Sequence, residues 1–234
     1  MTGGGPGNGG AAASARLETD QVRLRALDAG DLDWLRRAET DAQLAFRWRL
    51  HGAHPSPMEY ADQVWAGTLA LFVVEAQPSA DRPDGGLLGL VSAYQPDHRN
   101  GHCRVAAARL DPAGSADALF LGGVALFLDY LFQGWSFRKV YLETPEFNVG
   151  QFRSAIDRGV MRVEARLEEF VYLDGSYWDV LFLAVGREVW GRFGQTALGC
   201  RLLAKPAPAL DLVDCTPVGT ALLDDLVLVP GLDR

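Results

Sequence analysis

One stretch near the middle of the chain limits its architecture most. Residues 102–110 (HCRVAAARL) read as a strand, and residues 137–144 (FRKVYLET) read as another. Between them, LFLGGVALFLDYLF (119–132) has helical length and is apolar on every side. A helix of that kind has to be buried. A strand, a buried helix and a second strand form a crossover that brings the second strand back parallel to the first. The chain therefore needs a sheet with a parallel pair and a helix packed on it, an α/β arrangement. Its 234 residues suffice for one domain with a real core.

The flanking segments predict antiparallel strands and shorter helices. VRLRAL (22–27) alternates as a half-buried strand does. DAGDLDWLRRAETDA (28–42) predicts a helix with Asp31 as its N-cap. FRWRLHGAHPSP (46–57) reads as a loop, and MEYADQVWAGTL (58–69) as a helix with Tyr60, Val64 and Trp65 inward. LALFVVEA (69–76) and LLGLVSAYQ (87–95) are strands, and PDHRNG (96–101) carries an Asn-Gly hairpin signal. NVGQFRSAIDRG (148–159) predicts a helix closed by Gly159. Residues 162–185 predict a strand, a turn at Asp174-Gly175 and a strand, and GREVWGRF (186–193) a short helix. Three parts are expected: a disordered Gly/Ala-rich tail over 1–20, a folded domain over 21–195, and an extension over 196–234 that packs on the domain or on a second subunit.

A net charge of −8 argues against DNA and against anionic membranes as partners. The three cysteines, Cys103, Cys200 and Cys215, show no CxxC spacing. That argues against a disulfide framework or a metal site, and for a reduced cytoplasm. No 18-residue apolar run is present, and the first residues lack the basic and apolar regions of a signal peptide.

Three pieces stand in order at telling spacings: LDPAGSADALFLGGVALFLDYLF (110–132), Asn148 with Gly159, and YLDGSYWDVLFLAVGREVW (172–190). Together they resemble the GNAT family of N-acetyltransferases, and within it the group that acetylates ribosomal-protein N-termini and antibiotics. The resemblance covers about Val22 to Trp190. It implies a GNAT fold, a mixed sheet of about seven strands with helices on both faces and the fourth and fifth strands splayed. It also implies an acyl thioester donor such as acetyl-CoA and an amine acceptor.

In such proteins the turn after the fourth strand offers backbone amides at a helix start to the coenzyme A pyrophosphate. Here that turn is Ser115, Ala116, Asp117, Ala118 and Leu119. The family's form is a basic or amide residue followed by spaced glycines. This chain has Ser115 at the basic position, Ala116 and Ala118 at the glycine positions, and Asp117 between them. Ser115 and Asp117 are good helix caps. A carboxylate there also repels a phosphate by about 1–3 kcal/mol. The donor is thus expected to be weakly bound acyl-CoA, or pantetheine on an acyl carrier protein.

The strand end Ala107–Leu110, including Ala108 and Arg109, is expected to supply the amide that polarises the thioester carbonyl. Asn148 is expected either to hold the pantetheine arm or a water, or to cap its helix. The family's thiolate-protonating Tyr is absent, since Gln151 and Ala155 stand at the relevant positions. Candidate bases are Glu75, Asp97, His98, His102 and Glu39. Trp48, Tyr94 and Glu39 are expected to line the acceptor site. Gly122-Gly123 suggests close helix packing or room for an acyl chain. The leading expectation is an N-acyltransferase acting on a small-molecule amine in a specialised-metabolite pathway, with a homodimer as a candidate assembly. A catalytically silent GNAT-like binding protein is the alternative.

Overall fold

The computed structural model describes residues 16–40, 53–110 and 117–206, with only the backbone of Asp117. Seven strands form one sheet: β1 (Val22–Ala26), β2 (Thr68–Ala76), β3 (Gly86–Asp97), β4 (His102–Arg109), β5 (Lys139–Pro145), β6 (Arg162–Leu173) and β7 (Ser176–Gly186). Their order across the sheet is β1-β2-β3-β4-β5-β7-β6. All neighbours run antiparallel except β4 and β5, which are parallel. This is the crossover required by residues 102–144.

The crossover helix, α3 (Asp117–Gly134), packs on one face. Phe127 and Leu131 meet Val74, Val91, Cys103 and Val140 there in the larger core. The other face carries α1 (Asp31–Thr40) and α2 (Pro57–Gln63), with Leu35, Tyr60 and Val64 over Leu71, Val73 and Leu90. Helices thus lie on both faces, as expected. Arg187 fixes the far end of α3. Its guanidinium donates to the carbonyl of Phe132, in the last turn of α3, and to those of Trp135 and Phe137 just after it.

Several local expectations need correction. Asp31 is not the cap of α1, because Asp28 accepts from the amides of Gly30 (2.8 Å) and Asp31 (3.2 Å). Asp31 is buried instead, and it takes two hydrogen bonds from Arg25 at 2.7 and 3.0 Å. Trp65 does not face inward. Helix α2 ends at Gln63, and Trp65 is 49% exposed. The segment after β5 is a 3-10 helix, Glu146–Phe152, followed by a short α4 (Arg153–Asp157). Asn148 lies inside the 3-10 turn and caps nothing, since the N-cap of α4 is Phe152. Gly159 does close the segment, at φ +69°.

After β7 come α5 (Arg187–Phe193) and α6 (Ala197–Leu202). Leu203 is buried in the main core. Lys205 Nζ lies 3.1 Å from the buried Asp129, which also accepts from Trp190 Nε1 at 3.2 Å. Residues 196–206 are therefore packed into the domain.

Candidate functional site

The parallel pairing of β4 and β5 is short. It runs from His102/Lys139 to Val105/Leu142 and stops. Beyond that point β4 stays bonded to β3 and β5 stays bonded to β7, so the two strands part in a fork. The splay expected of the fourth and fifth strands is present.

The amides that face the fork follow from the ladder. Leu110 N–H donates to Leu88 O at 2.9 Å. The β3–β4 register is unbroken from Tyr94/Arg104 to Gly89/Arg109. Alternate residues of an antiparallel strand bond to the same side. The amides of Ala106 and Ala108 therefore also face β3, while those of Ala107 and Arg109 face the side β5 has left. No bulge is needed to aim them. Of the expected strand-end donors, Ala108 and Leu110 direct their amides into the sheet.

A cleft of about 300 Å³ opens at this fork on the α3 face. Ala107 and Arg109 line its β4 side, and Thr144, Pro145 and Asn148 its β5 side. One wall is α3, from Phe120 to Leu128, and Gln151 and Ala155 belong to the opposite wall. Trp190 and Phe193 of α5 and Leu198 and Leu202 of α6 line its inner end.

Glu143 is the carboxylate that reading the sequence missed. In β5, Val140, Leu142 and Thr144 are buried, so Tyr141 and Glu143 point to the other face. Glu143 is the first β5 residue past the last β4 pair, and it also lines the cleft. Its Oε1 is buried and lies 2.5 Å from Arg104 Nη1, yet it accepts no hydrogen bond among the described residues. Arg104 sits in addition 5.5 Å from the Phe182 ring. Tyr94 is opposite Arg104 in the ladder. Burial, and next the nearby Glu143 charge, push its phenol up to about 12. Glu143, Arg104 and Tyr94 thus gather on the face opposite α3, at the base of the fork.

The other expected residues are dispersed. Glu75 lies on β2, bonded to Arg23 (2.7 Å) and Arg25 (2.9 Å). Burial would raise its carboxyl, but the two guanidiniums outweigh that and hold it low. His102 starts β4, 3.7 Å from Asp97 Oδ2 and edge-on to Tyr141, at the paired end of the strands rather than at the fork. His98 is exposed and stacks on Phe137. Glu39 is buried in the last turn of α1, at 1% exposure. Ala118 is exposed and Leu119 half-buried in the first turn of α3. Ser115, Ala116, Trp48 and the side chain of Asp117 lie outside the described residues. The expected phosphate turn is therefore represented only by the start of α3. Among the described residues no group of three His, Cys, Asp or Glu is placed to hold a metal. No helix there is long and apolar enough to cross a membrane.

No family model matches the sequence, and no curated protein does. Solved structures do match. A spermidine N-acetyltransferase from Vibrio cholerae, in complex with CoA and spermine, superposes with a TM-score of 0.57 at 17% identity. The match covers 74% of this chain and 99% of that one. A probable acetyltransferase of the GNAT family from Chromobacterium violaceum gives 0.57 at 19% identity, over 82% of this chain and 98% of that one. At these identities the likeness is one of fold. The seven strands among the described residues, with one parallel pair and its fork, place this chain on the fold of the GNAT acetyltransferases.

Proposed function

We propose that this protein is an N-acyltransferase that moves an acyl group from a thioester to the amine of a small molecule. The observation that carries the reading is the fork, with the Ala107 amide aimed into it from one strand and Glu143 at the base of the other. A thioester carbonyl set between the strands would receive the Ala107 N–H, which favours the oxyanion that forms on attack. The amine approaches from the face that holds Glu143, Arg104 and Tyr94. Its nitrogen bonds to the carbonyl carbon, its proton passes to the Glu143 carboxylate, and the C–S bond breaks. A thiolate whose conjugate acid has a pKa of about 8.5 departs with little help. The absence of a Tyr at Gln151 and Ala155 is consistent with that. Arg104 fixes the carboxylate's position.

The donor is acyl-CoA held weakly, or pantetheine on an acyl carrier protein, which needs no diphosphate site. A small-molecule amine and a biosynthetic setting suit this donor. Thermal-shift titration with acetyl-CoA, desulfo-CoA and acetyl-pantetheine tests the donor. Release of free thiol in the presence of benzylamine, spermidine and phenylalanine amide tests transfer. Glu143→Gln should lower kcat/KM about 100-fold or more and leave acetyl-pantetheine binding within twofold. Stabilisation by none of the thioesters would favour the silent binding protein instead.

A further inference from the structure

The cleft extends inward past the fork, along the closed part of the β4–β5 pair, and its chemistry changes with depth. Its lining follows α3 from Phe120 to Leu128, eight residues or about 12 Å along the helix. Polar groups gather in the outer half, where Arg109, Thr144, Asn148 and Gln151 surround the fork. On the α4 side, Arg158 and Ser154 are bonded to each other at 3.3 Å. The inner half runs over the closed part of the parallel pair, with Val105 and Leu142 as its floor. Its walls are Phe127, Leu128, Met161, Trp190, Leu198 and Leu202. The one polar atom among these side chains that bonds strongly, the Trp190 indole N–H, is given to Asp129 at 3.2 Å.

We infer that this inner half is a pocket for the acyl chain of the donor, and that the protein transfers alkanoyl groups longer than acetyl. The inference rests on the thioester reading above. Pantetheine carries two amides and a hydroxyl, which cannot be buried against Phe127, Met161 and Leu202 without losing their hydrogen bonds. A straight alkyl chain has nothing to lose there and gains from leaving water. With the carbonyl oxygen on the Ala107 amide and the sulfur toward the cleft mouth, the carbonyl's third substituent is free to turn inward. Room at Gly123 is not the source of this space. A β-carbon there would lie 2.2 Å from Val74 Cγ1, so that glycine serves helix packing. The inner wall is supplied by α5 and α6, within and just beyond the end of the sequence resemblance at Trp190.

The test measures Kd by calorimetry for acetyl-, butanoyl-, hexanoyl- and octanoyl-pantetheine, and for the same four CoA thioesters. The wild-type protein should bind about two- to fourfold more tightly for each methylene added, until the pocket is full. Leu198→Trp, on half-buried α6, should abolish the gain beyond butanoyl and leave acetyl binding within twofold. Met161→Trp, which fills the pocket from the opposite wall, should do the same. Leu198→Ala should extend the gain to longer chains. If acetyl thioesters bind but Kd is flat from two to eight carbons, the pocket assignment falls and the reaction survives. A chain-length gain that persists in both tryptophan variants also overturns the assignment. If no thioester binds at any length, the reaction itself falls and the pocket with it.

Discussion

Two adjacent glycines should respond to the same substitution with opposite signs. Gly122 and Gly123 lie in the buried part of α3, where each costs helix stability of about 1 kcal/mol relative to alanine. A β-carbon on Gly122 would find only Val22 Cγ2, at an ordinary 3.7 Å. Gly122→Ala should therefore recover that amount. In a chain of this size this raises Tm by about 2–4 °C. On Gly123 the added carbon would lie 2.2 Å from Val74 Cγ1 and 3.3 Å from Cγ2. Val74 is fully buried in β2, paired on both sides, and its β-branch is stiff, so it cannot swing away. Overpacking of this kind costs about 1–3 kcal/mol or more. It should outweigh the propensity gain and lower Tm by several degrees. Val74→Ala should rescue Gly123→Ala in part, since removing the two methyls removes the clash. Thermal melts of Gly122→Ala, Gly123→Ala, Val74→Ala and the Val74→Ala/Gly123→Ala double variant check this. If Gly123→Ala stabilises as much as Gly122→Ala, α3 does not lie against β2 as described, and the wall of the cleft is misplaced.

Other consequences follow from particular contacts. Arg187→Met removes the donor to three carbonyls in and just after the last turn of α3 and should cost about 2–4 kcal/mol, read from denaturant midpoints. Stability should fall in acid. Hydrogen bonds from Lys139 and Arg162 hold the Glu164 carboxyl at about 2, against 4.5 in the unfolded chain. A depressed carboxyl contributes fully above about pH 4.5, and its contribution disappears as the pH falls toward 2. Asp31, held low by Arg25, and Glu75, held low by Arg25 and Arg23, act in the same direction. Melts from pH 6 to 2.5 should show the loss, and Lys139→Met should shrink it. Asp117→Arg exchanges a negative charge for a positive one at the start of α3. It should tighten CoA about tenfold or more while leaving acetyl-pantetheine unchanged, measured by calorimetry.

The sheet was legible because its signals are local. The alternation in residues 22–27, the Asn-Gly turn at Asn100-Gly101 and the strand-helix-strand run over 102–144 each specify a neighbour in space. Helix details failed where two similar residues stand three apart: Asp28 takes the amides of Gly30 and Asp31, and Asp31 accepts from the Asp28 amide and from Arg25. The 3-10 turn at Glu146–Phe152 lacks any side-chain cap that would announce an α-helix, and the pattern of residues 148–159 concealed that. Glu143 was missed for a different reason. Its strand alternation was visible in KVYLET, and that places its side chain away from the core. The register that ends β4–β5 pairing one residue before it, and brings Arg104 to 2.5 Å, is tertiary. Glu75 on its strand and His102 at the hairpin have the residue types a base needs, and strand order carries them away from the fork.

The most direct measurement is a crystal structure with S-acetonyl-pantetheine, a stable ketone analogue of acetyl-pantetheine in which a methylene separates the sulfur from the carbonyl. The arm should run between β4 and β5, with the acetyl oxygen about 3 Å from the Ala107 nitrogen and the carbonyl carbon open toward Glu143. Density for the analogue outside the fork, or strands that stay paired past Val105 and Leu142, would contradict the account.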